Sequence, residues 1–201
     1  RGIDKKSDGT TAINSSKFTA LPGLIETDVL QTVQALPGIT SIDETVSNIN
    51  IRGGSHDQNL ILWDDIKMYQ SGHFFGLISS FNPQITNTAT VITNGTDAAF
   101  TDGVSGSIQM NTDNQIQKDF KGSLGINFIS ADIFADIPFG EKSSLQLAAR
   151  RSVNELFNTP TYDVYFDRVT QHTEIEDNVE SVVNSNQDFS FYDTSIRWLY
   201  S

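Results

Sequence analysis

Two short polar segments near the middle of the chain carry the side chains best suited to chemistry. Residues 55–58 and 69–75 place two of the three histidines of the chain beside aromatic and amide groups. Such side chains, on loops that strands hold in place, suit the recognition of a polar ligand. The candidate ligand-binding residues are His56, Asp57, Gln58, Tyr69, His73 and Phe74. The alternative is that they only pack and hydrogen-bond this region against its neighbours.

Carboxylate pairs are the other candidates for chemistry. General acid–base catalysis needs one carboxyl group in an apolar pocket and a partner held close to it. Asp64-Asp65 and the pair Asp132 and Asp136 show no such arrangement, and we interpret Asp64-Asp65 as the end of a strand. The chain also lacks the HExxH, GxSxG and GxxxxGK[ST] motifs. We therefore predict no catalytic residue, no enzyme activity and no cofactor. A carbohydrate-active enzyme is the rival hypothesis, because carboxylates near aromatic residues suit sugars.

An acidic segment could bind a divalent cation. Its six carboxylates lie between residues 163 and 180, where Arg168 is the single basic residue. The D-x-D-x-D-G spacing of a calcium loop is absent, so a solvated run of charge is favoured and no metal site is predicted. The six are Asp163, Asp167, Glu174, Glu176, Asp177 and Glu180.

Composition narrows the class of protein. The 201 residues include 13 basic and 25 acidic ones, for a net charge of −12, which argues against nucleic acid as a partner. The absence of cysteine excludes disulfides and thiol chemistry. No apolar run reaches the roughly 18 to 20 residues of a membrane helix. The chain starts without methionine and stops within an alternating run, so we expect a fragment of a longer protein.

The elements that would position the candidate residues are short. Residues 1–20 are polar and predict a linker. Thr27 or Asp28 can cap a helix that ends at Pro37-Gly38. Alternation and apolar runs predict strands, and a turn of helix is expected just before Pro83. The strands are predicted at 48–52, 59–63, 89–93 and 107–111, and the helical turn at 77–81. These elements form a mixed α/β module of about 90 residues.

The pattern changes after residue 120. Segments 122–128, 131–139, 145–148 and 189–200 alternate apolar and polar residues, and a polar loop over 154–188 separates the last two. Strands of about ten residues with this alternation are typical of transmembrane barrels, although a soluble antiparallel sheet with one wet face alternates in the same way. The candidates for an interfacial girdle of aromatic residues are Tyr192, Trp198 and Tyr200.

Several motifs in one order resemble the plug domain of TonB-dependent outer-membrane receptors, and their spacing looks most like the Bacteroidetes type. They are Leu36-Pro37-Gly38-Ile39, Asn50-Ile51-Arg52-Gly53-Gly54, Asp57-Gln58-Asn59-Leu60-Ile61-Leu62, Tyr69, His73, Phe75-Gly76 and Phe81-Asn82-Pro83. The resemblance implies an α+β plug domain over 21–115, followed over 116–201 by antiparallel strands of a transmembrane β-barrel, about four of them, with one long extracellular loop. It further implies that Arg52 anchors the plug to carboxylates of the barrel wall.

The function implied by the resemblance is TonB-dependent active import of a bulky nutrient across the outer membrane. The cargo would be an iron chelate, cobalamin or an oligosaccharide. The candidate ligand-binding residues would lie on apical loops of a plug inside the barrel lumen. Implied partners are the TonB-ExbB-ExbD energising complex, outer-membrane lipid and a surface lipoprotein. The rival hypotheses are a soluble β-rich binding or adhesion module, and a signalling receptor or envelope-complex component with little transport.

Overall fold

The computed structural model describes residues 2–17, 21, 24, 26–154, 159–171 and 189–201. These residues contain two α-helices, α1 (Val29–Gln34) and α2 (Pro160–Gln171), three short 3-10 helices (Ser15–Lys17, His56–Gln58 and Phe74–Gly76) and fourteen strands. The strands are β1 (Ile3–Lys5), β2 (Thr11–Asn14), β3 (Ile39–Thr40), β4 (Asn50–Ile51), β5 (Asn59–Trp63), β6 (Ile66–Lys67), β7 (Gly72–His73), β8 (Ile78–Ser79), β9 (Thr86–Ile92), β10 (Gly106–Thr112), β11 (Lys121–Ile126), β12 (Ser130–Pro138), β13 (Ser143–Ser152) and β14 (Tyr192–Tyr200). We call residues 2–112 the module and β11–β14 the wall.

Six strands of the module form one mixed sheet in the order β1-β2-β9-β10-β5-β6. β10 lies between β9, to which it is antiparallel, and β5, to which it is parallel. α1 and the β3–β4 pair pack against this sheet, so β10 is buried along most of its length. The shared core contains Ile13, Val29, Leu30, Val33, Ile39, Val46, Ile49, Ile51, Phe81, Ala89, Val91, Ile108 and Met110.

The N-terminal segment differs from the linker predicted for residues 1–20. β1 and β2 form a hairpin, and β2 pairs with β9 so that Ile13 lies opposite Ala89. Ile13 is only 1% exposed. A strand near a sheet edge is held by its ladder of backbone hydrogen bonds and a single buried side chain. The polar composition of residues 1–20 therefore does not reveal that they contain strands. The hairpin is therefore part of the module.

Asp28 caps α1 and also ties the helix to β8. One carboxylate oxygen accepts hydrogen bonds from the amides of Leu30 at 2.8 Å and Gln31 at 3.1 Å, and the other accepts from the amide of Ser79 at 3.0 Å. The capping role matches one of the two predicted candidates. The helical turn predicted over 77–81 is wrong, because β8 pairs there with β7 and Ser79 donates its amide to Asp28.

The wall is an antiparallel meander whose two faces differ in polarity. Large apolar side chains on one face are exposed, among them Leu124 at 81% and Ile196 at 71%. The other face points toward the module and buries polar residues, which are Ser144, Gln146, Arg150 and Ser152 on β13. A soluble sheet of this kind would bury its apolar face and leave its polar face wet. The reversed arrangement confirms the alternating strands predicted from sequence and is typical of a membrane barrel strand.

The connections at the two ends of the wall differ in length. Residues 139–142 join β12 to β13 in a tight turn, in which the amide of Phe139 bonds the carbonyl of Ser143 at 2.8 Å. Residues 153–191 join β13 to β14 and include α2. Among the residues described, no helix has the length and apolar character that a membrane span requires. The long connection lies at the end of the wall where β14 begins.

The Asp28 contacts yield a prediction for the stability of the module. In the full-length protein, Asp28→Ala should lower the stability of the α1 region by about 2 to 3 kcal/mol, because three amides lose their buried acceptor. Hydrogen exchange at the amides of Leu30, Gln31 and Ser79 measures the loss. Asp102→Ala, which removes an exposed partner of Lys67, should change these rates little. Equal exchange in the two variants would contradict the assigned role of Asp28.

Candidate functional site

Arg150 on β13 joins the wall to the module through a buried guanidinium group. The residue is 2% exposed. Its Nη1 lies 2.9 Å from a carboxylate oxygen of Glu26, and its Nε and Nη2 lie 3.0 and 2.8 Å from Oδ2 of Asp193. Nη2 also donates to the carbonyl of Ser79 at 2.6 Å. A buried charge is tolerated only with such partners, so the module supplies half of the environment that this wall residue needs.

Burial makes the charged forms of the carboxylates near Arg150 less favourable than they would be in water. Burial raises the pKa of Glu26, although the Arg150 guanidinium and the Asn127 amide, 3.0 Å away, favour its charged form. Burial likewise raises the pKa of Asp28, whose three amide donors oppose the shift. These groups repel one another in a medium that screens them poorly. Arg150 is the cation that makes this negative cluster tolerable.

His73 provides a second contact from the module to the same wall carboxylate. Its Nε2 lies 2.7 Å from Oδ1 of Asp193. The imidazole stacks on the ring of Phe191 with centroids 4.5 Å apart, and the Arg150 guanidinium lies 5.3 Å from the centre of that ring. Both oxygens of Asp193 are therefore occupied, one by the wall and one by the module. The stacking fixes the imidazole in place.

A separate polar contact lies about 13 Å further along β14, four residues beyond Asp193. Arg197 donates to Gln146 at 2.6 Å and to the side-chain oxygen of Asn114 at 2.6 Å, and its Nη2 lies 3.4 Å from a carboxylate oxygen of Asp64. Asp64 is held by the amide of Thr112 at 2.9 Å and its hydroxyl at 2.6 Å. Asp64 therefore pairs with the wall residue Arg197, in addition to following the end of β5.

An aromatic cluster covers the module at the end where β14 begins. Phe74 is 7% exposed and packs against Tyr162 of α2 and against Phe189 and Phe191 of the long connection. Phe74 and Phe75 have φ angles of 48° and 53°, in the left-handed region that costs about 1 to 3 kcal/mol for a non-glycine residue. Phe75 is 67% exposed. The packing of Phe74 therefore holds a strained turn that presents the ring of Phe75 to solvent.

The six predicted ligand-binding residues fall into two groups. His73 contacts the wall at Asp193, and Phe74 packs against α2 and the long connection between β13 and β14. His56, Asp57, Gln58 and Tyr69 are exposed on the module. Gln58 accepts a hydrogen bond from the hydroxyl of Ser105 at 3.1 Å, and the ammonium of Lys67 lies 5.0 Å from the ring centre of Tyr69. Ligand binding by any of the six stays a prediction.

Arg52 has an exposed side chain and a φ of 49°. Within the described residues its side chain forms no ion pair, so its role as an anchor stays a prediction. Sequence reasoning missed the anchors that the structure shows, Arg150 and Arg197. Their position on alternating strands was a usable signal, because Leu145 and Leu147 point outward and Arg150 has the opposite parity.

Metal binding finds no support in the described part of the chain, where no three metal-ligating side chains cluster. Asp136 instead accepts a hydrogen bond from the Gln146 amide at 2.9 Å. Four of the six carboxylates of the acidic segment, Glu174, Glu176, Asp177 and Glu180, lie outside the described residues. The domain boundaries predicted at 21–115 and 116–201 stay predictions.

The fold and the interface define a class of protein, a compact α/β module seated on the polar face of amphipathic antiparallel strands. Residues 5–108 match the family model described as TonB-dependent Receptor Plug Domain. This is just over half of the chain, and the chain belongs to that family. The predicted plug domain is therefore confirmed, while the Bacteroidetes type stays a prediction. From here on we call the module the plug.

Solved structures show the same fold. The chain matches the siderophore receptor PirA from Acinetobacter baumannii with a TM-score of 0.50 and 12% identity, over 72% of this chain and 24% of that one. It matches the copper transporter OprC with a TM-score of 0.55 and 16% identity, over 75% of this chain and 25% of that one. The chain thus spans about a quarter of the length of either protein. A comparison with curated proteins found no significant match.

The contacts of Arg150 predict a large effect of its removal. Arg150→Ala should weaken plug docking by about 3 to 5 kcal/mol, because Glu26 and Asp193 lose their buried counter-charge. Hydrogen exchange across residues 26–34 of the full-length protein measures the change. The matched control is Arg151→Ala on the same strand, since Arg151 is exposed on the opposite face. Indistinguishable exchange in the two variants would remove Arg150 from the account.

Proposed function

We propose that this chain is the plug and first wall strands of a receptor that imports a bulky nutrient across the outer membrane with energy from TonB, ExbB and ExbD. The observation that carries the proposal is the pairing of wall Arg150 with plug Glu26, in a chain of the plug family. At this contact the plug is held by charge and hydrogen bonds, whereas at its end near Phe74 it packs against a buried apolar cluster with Tyr162 and Phe191. Opening the polar contact exposes groups that water can re-solvate.

The apolar outer face of the wall supports lipid as its surroundings. Leu124, Ile126 and Ile196 are more than 70% exposed on that face, and water would be an unfavourable neighbour for them. Barrel proteins of the outer membrane have short periplasmic turns and longer extracellular loops. We accordingly orient the turn at 139–142 toward the periplasm and the α2 connection toward the outside. The soluble-module hypothesis would require a second layer on this face.

In this orientation the aromatic cluster and the exposed Phe75 lie at the outer end of the plug. Cargo arriving there meets a strained turn whose geometry depends on Phe74 packing against the long connection. His73 directly precedes Phe74 in the chain and links the turn to Asp193 and so to Arg150. A shift of the outer turn would therefore act on the main plug-to-wall contact. This is the route by which we propose that cargo binding loosens the plug.

Pulling from the periplasm would act through the N-terminal hairpin. β1 has one strand neighbour in the main sheet and β2 has two. Glu26, which is bound to Arg150, lies between β2 and α1 in the sequence. Short strands near a sheet edge open at low free-energy cost, so traction would reach this contact before it disturbs the central strand β10. Water can re-solvate both partners once the contact opens.

The cargo is proposed only as a class. The two solved relatives are a siderophore receptor and a copper transporter by name, which describes those proteins. An iron chelate, cobalamin and an oligosaccharide are the candidates for this chain, with His56, Asp57, Gln58 and Tyr69 as exposed candidate contacts. We further propose that the receptor is not an enzyme, since its plug family is one of receptors.

A reversible tether tests whether the plug must move. Gln84 of the plug and Ser123 of β11 lie 3.0 Å apart at their side-chain oxygens, and the chain has no native cysteine. Gln84→Cys with Ser123→Cys, bridged by a short cross-linker that forms a disulfide with each cysteine, should stop uptake. Reduction of those disulfides should restore it. The measurement is cellular uptake of radiolabelled ferric chelate and cobalamin and of labelled oligosaccharide, each with and without TonB and an uncoupler.

The matched control joins two wall strands. Ser123→Cys with Phe134→Cys links register partners of β11 and β12 and should leave uptake unchanged after cross-linking. Uptake that continues with the plug tethered, or that proceeds equally without TonB, would contradict the proposed function.

A further inference from the structure

The outward face of the wall has a shallow apolar groove near the end at which β14 begins. The groove has a volume of 620 Å³, and all four wall strands contribute residues to it. Among the outward side chains that line it are Leu124 and Ile126 of β11, which are 81% and 76% exposed. The proposed import function makes no use of this groove, because it lies on the face away from the plug.

An alanine on each of the two central wall strands gives the groove its floor. Ala131 pairs with Ile126 on one neighbouring strand and with Arg151 on the other, and Ala149 lies one outward row further along the wall, beside Ile133. The two partners of Ala131 are about 9.5 Å apart at their backbones, since adjacent strands lie about 4.8 Å from each other. The space between their side chains suits a single hydrocarbon chain.

The groove ends at two polar side chains. Arg151 and Tyr192 are register partners on β13 and β14, both have outward parity, and both are exposed. The guanidinium group and the phenol hydroxyl are hydrogen-bond donors. The groove therefore combines an apolar floor with a pair of donors at one end, which is the polarity of a lipid molecule.

Arg151 is the one charged side chain on the outward face of the four wall strands, all of which lie in the described part of the chain. A charge on the lipid-facing surface of a barrel is costly at the centre of the bilayer and tolerated near its edge. Arg151 occupies the last outward position of β13. The position of this single cation therefore matches the edge of the proposed membrane, where lipid headgroups lie.

Aromatic residues support the same depth for Arg151. Tyr192 lies beside it, and Tyr200 lies eight residues further along β14. Eight residues span about 26 Å of strand, or about 20 Å of depth at a tilt of about 40°. Tyrosine and tryptophan are enriched at both edges of the apolar band of a barrel, which is about 25 Å tall. Arg151 and Tyr192 are therefore level with one layer of headgroups.

The chemistry of the two donors favours a phosphate group as their acceptor. A guanidinium group binds phosphate through two parallel hydrogen bonds and keeps its charge throughout the physiological pH range. The hydroxyl of Tyr192 would donate to a further oxygen of the same phosphate. A zwitterionic headgroup would instead bring a second cation close to Arg151. The matching ligand is an anionic lipid whose headgroup carries an exposed phosphate.

We propose that this groove binds one molecule of an anionic, phosphate-bearing membrane lipid, with an acyl chain over Ala131 and Ala149 and the phosphate on Arg151 and Tyr192. The inference rests on the proposed outer-membrane placement of the wall. It goes beyond import, because the lipid is a resident ligand of the wall and not the cargo. A lipid bound in this way bridges β12, β13 and β14 at their outer ends.

Native mass spectrometry of the purified full-length receptor, in a detergent without phosphate, tests the site. The probes are dioleoylphosphatidic acid and dioleoylphosphatidylcholine, which share their acyl chains and differ in headgroup charge. The wild type should retain one phosphatidic acid molecule at least about fivefold more tightly than phosphatidylcholine. Arg151→Gln should remove that preference, the effect expected for losing one charged donor at a membrane surface.

Two further variants serve as controls for the headgroup contact. Arg151→Lys keeps the charge and should retain a preference for phosphatidic acid, although a smaller one, because lysine lacks the paired hydrogen bonds of arginine. Trp198→Phe changes an outward residue near the opposite end of β14 and should leave the binding of both lipids unchanged.

A groove-filling variant decides the case if Arg151→Gln does not fold. Ala149→Phe leaves both donors in place and should abolish retention of the bound phosphatidic acid, while hydrogen exchange across residues 26–34 stays as in the wild type. Equal retention of the two lipids by the wild type would indicate only the general lipid surroundings of a barrel and would overturn the inference. Unchanged retention of phosphatidic acid in Arg151→Gln or in Ala149→Phe would overturn it as well.

Failure of the lipid site can be separated from failure of the proposed function. TonB-dependent uptake by a receptor that shows no preference for phosphatidic acid would refute the lipid site and leave import standing. A preference that Arg151→Gln removes, combined with uptake that proceeds equally without TonB, would refute import and leave the lipid site standing.

Discussion

The structure depends on one buried cation that two parts of the chain share. Arg150 is placed by the wall, yet it is satisfied only when Glu26 and the Ser79 carbonyl of the plug lie against it. Breaking a buried ion pair by removing one partner is costly, whereas admitting water to both partners returns their solvation. Such an ion pair is hard to separate while water is excluded from it, and it is weak once water reaches both partners. An apolar interface of the same size would lack this dependence on water, because its separation always exposes hydrophobic surface.

The remaining contacts are arranged around this one. Asp193 receives Arg150 on one oxygen and His73 on the other, and His73 stacks on Phe191 of the aromatic cluster. The cluster in turn fixes the left-handed turn at Phe74, so the outer end of the plug and its main wall contact form one connected set of side chains. Arg197 makes an independent contact lower on β14. Two polar contacts at different positions along β14 resist tilting of the plug more than either contact would alone.

Most local features of the fold were readable from the sequence, although the helical turn predicted over 77–81 was wrong, and the long-range features were not readable. Alternation predicted the wall strands, and a carboxylate before an apolar helix face predicted the Asp28 cap, because each signal lies within a few neighbouring residues. The β1–β2 hairpin was missed because its stability comes from pairing with β9, more than seventy residues away. The partners of Arg150 come from three separate segments, so only the inward parity of Arg150 could be inferred. His73 and Phe74 were identified as notable, but their contacts with Asp193 and α2 depend on the packed structure.

The central claim is that Arg150 and Glu26 stabilise the docked plug through each other. A double-mutant cycle with Arg150→Met, Glu26→Gln and the combination measures that coupling in the full-length receptor, with hydrogen exchange across residues 26–34 reporting the free energy of opening. The account predicts a coupling energy above about 1.5 kcal/mol, because each single change leaves a buried charged partner behind. Additive effects, within about 0.5 kcal/mol, would show that the two residues act independently and would contradict the account.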